Sequence, residues 1–95
     1  MEGNKQKHQN SLLLYRRRMG FSQKHVSKLL GHRDVDMLSH YENGRFLPPL
    51  RTALRLETIY RVPIAFLYGG MYNAIRDKIR KQEEKLAAPK QAILF

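Results

Sequence analysis

Residues 20–44 read GFSQKHVSKLLGHRDVDMLSHYENG, and three glycines punctuate them. Gly20, Gly31 and Gly44 each follow a short run with apolar residues at helical spacing. A helix that ends on a left-handed residue ends most cheaply on glycine. After Gly20, Ser22 is a capping residue for a helix over Gln23–Leu30 with Val26 and Leu30 turned inward. His25 stands where a capping box would carry Glu or Gln, so the box is incomplete. Asp34 is the next capping residue and opens a helix from Val35 to Asn43, with Leu38 and Tyr41 inward. Two short helices joined by the tight turn Gly31–Asp34 have the proportions of a helix-turn-helix unit.

Outward from this stretch the pattern stays helical, with no period-2 run. Upstream, Asn10 caps a first helix over Ser11–Met19, whose apolar positions Leu12, Tyr15 and Met19 are spaced three and four apart. Downstream, Arg45–Pro49 is a loop, because two prolines cannot continue a helix. Leu50–Tyr60 is a fourth helix, with Leu50, Ala53, Leu54, Leu56 and Ile59 apolar, and Pro63 suits the first turn of a fifth over Ile64–Tyr68. Gly69-Gly70 reads as a break, and Met71–Leu86 as a sixth helix with Tyr72, Ile75, Ile79 and Leu86 along one side. The expected organisation is an all-α chain: a flexible basic arm over 1–9, a five-helix domain over 10–68, a C-terminal helix over 71–86 offering a candidate dimerisation surface, and a tail over 87–95.

Ninety-five residues suffice for one domain, and 42% apolar residues are enough for a folded core. Eighteen Lys and Arg against eight Asp and Glu give +10. Residues 1–70 carry twelve basic and five acidic side chains, so the excess lies on the folded part and favours a polyanionic partner, nucleic acid first. The absence of Cys removes disulfides, thiolate metal sites and a cysteine nucleophile. No apolar run approaches the ~20 residues of a membrane span, and the polar start MEGNKQKHQN has no apolar signal-peptide core. The reading is a cytoplasmic, nucleoid-associated protein with no membrane partner.

Residues 12–67 resemble the DNA-binding domain of the Cro/repressor, or Xre-type, transcriptional regulators. The resemblance runs through Leu12, Tyr15-Arg16, Gly20, Ser22-Gln23, Val26-Ser27 and Leu30-Gly31. It resumes at Leu38-Ser39, Tyr41-Glu42-Asn43-Gly44-Arg45, Pro48, Leu50, Leu54 and Leu56, and ends at Val62 and Leu67. The Ser-Gln start of helix two, the Glu-Asn-Gly end of helix three and a Pro opening helix four occur together at near-family spacing. Three departures stand out. The turn Gly31–Asp34 is one residue longer than usual, which fixes the start of helix three only to within one position. Ser27 replaces a usual Ala, and Glu57 stands where a small apolar residue is common.

The resemblance implies specific roles. Arg16 and Glu42 form a structural salt bridge, an arginine fork on a carboxylate. Gln23 touches the sugar-phosphate backbone and braces the recognition helix. Base edges are read by Val35, Asp36 and His40 with help from Ser39: Val35 against a thymine methyl, Asp36 accepting from a cytosine amine, His40 donating to guanine or phosphate. Met37 divides between this face and the core. Asn43 and Arg45 meet phosphates through side chain and backbone, and Lys24, Lys28 and Arg33 join them, with Arg17 and Arg51 as further candidates.

No metal, cofactor or catalysis is expected. His8, His25, His32 and His40 include no i,i+4 pair on one helix, and no nucleophile–base set or phosphate loop is evident. The expected function is sequence-specific reading of a double-stranded operator by a homodimeric regulator, a repressor. The alternatives are an antitoxin that represses its own operon while binding a toxin, and a basic adaptor for an acidic protein.

Overall fold

The computed structural model describes residues 8–87. Residues 1–7 of the expected arm and 88–95 of the expected tail lie outside the described residues. Six helices follow in order: α1 (Leu12–Met19), α2 (Gln23–Leu30), α3 (Asp36–Glu42), α4 (Leu50–Tyr60), α5 (Ile64–Leu67) and α6 (Gly69–Ala87). No strand occurs among the described residues.

The first five helices share one core. Leu12 comes from α1, Val26 and Leu30 from α2, Leu38 and Tyr41 from α3, and Leu56 and Tyr60 from α4. Leu67 and Tyr68 close it from α5 and its end, with Tyr15, Met19, Phe21, Ile59, Val62, Ile64 and Met71 packed around them. Each helix is too short to be stable in water alone, so burial of these residues is what holds it helical. The circle is also closed by hydrogen bonds, since the Ser11 N–H donates to the Leu67 carbonyl at 2.8 Å.

Asn10 and Ser22 bond first-turn N–H groups as the sequence implies. Ser22 Oγ accepts from the His25 N–H at 3.0 Å, and Gly20 and Gly31 adopt φ of 75° and 83°, closing α1 and α2 in the left-handed region. Asn10 Oδ1 accepts from the Leu12 N–H, and its Nδ2 reaches the carbonyls of His8 and Tyr41, all at 2.9 Å. One side chain thus starts α1 and ties it to the last turn of α3.

Two expectations are corrected. Helix three begins at Asp36, because Asp34 Oδ1 takes the Asp36 N–H at 3.0 Å and leaves Val35 in the capping position. On α4 the apolar Leu50 and Leu54 are exposed, while Thr52, Ala53, Leu56 and Tyr60 form the inner face. Gly69 and Gly70 do not break the chain but are the first turn of α6. The interruption falls at Tyr68, with φ −119° and ψ 50°. Glycine's helical penalty matters least in a first turn, where backbone N–H groups have no intrahelical acceptor to lose. The ladder resumes at once, with the Tyr72 N–H donating to the Tyr68 carbonyl at 2.9 Å.

Candidate nucleic-acid interface

The site starts from a buried carboxylate. Glu42 closes α3, and its side chain is only 4% exposed. Arg16 Nε donates to Glu42 Oε2 at 2.6 Å and Nη2 to Oε1 at 3.2 Å, so the guanidinium grips both oxygens. Its Nη1 donates to the Phe21 carbonyl at 3.0 Å. The bond to Glu42 raises the Arg16 pKa, against the opposing effect of burial. Gln23 Nε2 completes the set, donating to Glu42 Oε1 at 2.9 Å. Helix α1, the start of α2 and the end of α3 therefore meet on one carboxylate.

This clamp fixes the angle at which α3 leaves the core. Leu38 and Tyr41 face inward. Asp36, His40 and Asn43, at i, i+4 and i+7, share the opposite face by helical geometry. Asp36 and Asn43 are exposed and His40 half-buried, with Met37 exposed and Ser39 half-buried on either side. Val35 is half-buried at the helix start. The His40 ring packs against Phe46, with ring centroids 4.9 Å apart. Its imidazole is thereby held by the loop after α3, a contact that nothing in the residue spacing announces.

At Asn43 and Arg45, the expected phosphate contacts, the backbone N–H groups are hydrogen-bonded within the chain. The Asn43 N–H donates to the Ser39 carbonyl and the Arg45 N–H to the His40 carbonyl, each at 2.9 Å. Both residues are exposed. Lys24, Lys28 and Arg33 are exposed as well. Gln23 is half-buried, its amide nitrogen engaged by Glu42. The first-turn N–H groups of Gln23 and Lys24 have no acceptor within the helix, the usual seat for a phosphate oxygen.

The Arg16-Arg17-Arg18 run separates into three fates. Arg16 turns to Glu42, Arg18 lies over the Tyr15 ring at 5.2 Å, and Arg17 is exposed. Arg51 is exposed on α4 beside Leu54 and Arg55, along a groove that Leu29 of α2 also lines.

One supporting residue escapes sequence reading. Glu57 Oε1 accepts from the Ile64 N–H at 2.9 Å and caps α5 from seven residues upstream. The intervening turn depends on Arg61 in a left-handed conformation, φ 58°, where glycine is the usual occupant. The departure from a small apolar residue at position 57 was the only available signal.

A protein-family model described as Helix-turn-helix matches residues 12–67. Neither the curated proteins nor the solved structures contain a match.

Proposed function

Because the chain belongs to the Cro/repressor (Xre-like) helix-turn-helix family, a family of DNA-binding regulators rather than enzymes, we propose that it is a sequence-specific repressor of transcription. It acts as a homodimer on double-stranded operator DNA at the nucleoid. Helix α3 enters the major groove and α2 lies across the backbone. Val35, Asp36, Ser39 and His40 read base edges. Lys24, Lys28, Arg33 and Arg45 hold phosphates with the side chains of Gln23 and Asn43.

The observation that carries this reading is the Glu42 clamp. A base-reading helix must be held rigidly enough that side-chain hydrogen bonds fall within tenths of an ångström of base edges. Three donors from two other helices fix the end of α3, while its outer face carries polar side chains that no apolar core requires. The basic excess supplies the sequence-independent attraction on which such reading is superimposed.

Titration of a labelled random-sequence duplex across salt concentrations tests the binding itself. Four cationic phosphate contacts per chain predict a slope of log K against log salt near −4 per bound chain, at roughly −0.9 per contact. Absence of duplex binding at low salt would favour the adaptor reading instead.

A further inference from the structure

Helix α6 contributes no buried residue. Tyr72, Ile75, Ile79 and Leu86 fall on one stripe, with Gln82 completing the alternate three-and-four spacing of a coiled-coil seam. All four apolar residues are exposed, Leu86 most of all at 71%. The two ends of the stripe differ in shape. Near Tyr72 and Ile75 it opens into an apolar cleft of about 360 Å³, walled by Leu47, Pro48, Ile64 and Tyr68. At the other end Leu86 projects with nothing over it.

The two halves of α6 also differ in charge. Residues 76–81 carry four basic side chains and one acidic, and residues 82–85 carry two acidic and one basic. Among the described residues Arg76 is engaged only by its neighbour Asp77, at 3.0 Å on an exposed surface, a pairing cheaply exchanged for another.

We propose that α6 pairs antiparallel with α6 of a second copy of this chain. Each Leu86 seats in the cleft beside the partner's Tyr72, and each Arg76 faces the partner's Glu83. A two-fold axis at Ile79 seats both Leu86 side chains and forms both Arg76–Glu83 pairs at once, as an isologous interface requires. Parallel pairing sets Arg76 beside Arg76 and Glu83 beside Glu83, and leaves both clefts open. The proposal deepens the homodimer part of the reading above. Its test contains no DNA, so failure to pair and failure to read a duplex are separate results.

Sedimentation equilibrium of the full chain at micromolar concentration should give a dimer. The double substitution Ile75→Asp with Ile79→Asp should give a monomer with unchanged helical circular dichroism, since both side chains are exposed. Arg76→Glu and Glu83→Arg should each weaken the dimer roughly tenfold or more by facing like charges across it. Mixing the two variants should restore it as a heterodimer. The chain has no Cys, so introduced thiols report orientation cleanly. Under oxidation, Tyr72→Cys mixed with Leu86→Cys should cross-link, and Leu86→Cys alone should not. A monomeric full chain, a dimer that survives both Asp substitutions, or self-cross-linking of Leu86→Cys would each overturn the proposal.

Discussion

Glu42 is the residue on which three helices converge, and its burial sets the cost of losing a partner. Arg16→Ala leaves a carboxylate that is 4% exposed without its counter-charge, a change worth on the order of 3 kcal/mol. Calorimetry should show a large fall in Tm. Arg16→Lys should recover only part of it, because an ammonium cannot grip both oxygens. An unchanged Tm with lost duplex affinity would move Arg16 from the frame to the interface. Arg45→Ala belongs to the other class. Its side chain is exposed and its backbone is already bonded. Affinity should therefore fall by a similar factor on all duplexes, with the salt slope reduced by about one unit. A loss confined to one sequence would make Arg45 a base reader. The Arg16–Glu42 pair was legible because family spacing places it. The bond from Gln23 was only half legible: bracing of the recognition helix was expected, yet its acceptor emerges only when α1, α2 and α3 pack. The Glu57 cap showed in the sequence only as an unusual residue at that position, since it requires a left-handed turn at a non-glycine residue.

At the scale of elements, the capped ends of α1 and α2 were the readable part, because Asn10, Ser22, Gly20 and Gly31 act locally. The start of α3 was off by one because Asp34 caps Asp36 through its side chain and holds Val35 outside the helix. The glycine pair misled for a different reason. Gly69 and Gly70 sit in a first turn, where a helix tolerates them, and the interruption passes to Tyr68. Helix α6 therefore leaves the core directly, with Met71 as its one anchor against the buried cluster. Removing residues 73–95 should leave residues 8–72 folded, with a melting transition close to that of the whole chain. A truncated protein that fails to fold would show that α6 carries part of the core's stability.

For the whole molecule, the alkaline limit is set by buried phenols. Burial pushes the Tyr68 hydroxyl up to about 12 from its ordinary 10.0. It also raises Tyr41 and Tyr60, the latter further through the nearby Glu42 charge. A phenol whose folded pKa is raised binds its proton more tightly folded than unfolded. Its contribution to stability is complete below pH 10 and is lost as pH climbs from about 10 toward 12. Denaturant unfolding should show a declining free energy across that window, and Tyr68→Phe should make the decline shallower. If the slope does not change, the Tyr68 hydroxyl is as free in the folded chain as in the unfolded one.

The same molecule carries its charge excess over the domain that holds α3, so attraction to DNA and discrimination among sequences are separable properties. Selection of bound sequences from a random duplex pool at physiological salt separates them. A discrete motif should be enriched, and Ser39→Ala with His40→Ala should shift or relax that motif at particular base pairs while general duplex binding persists. Tight binding without enrichment, or a motif indifferent to both substitutions, would contradict base reading by α3.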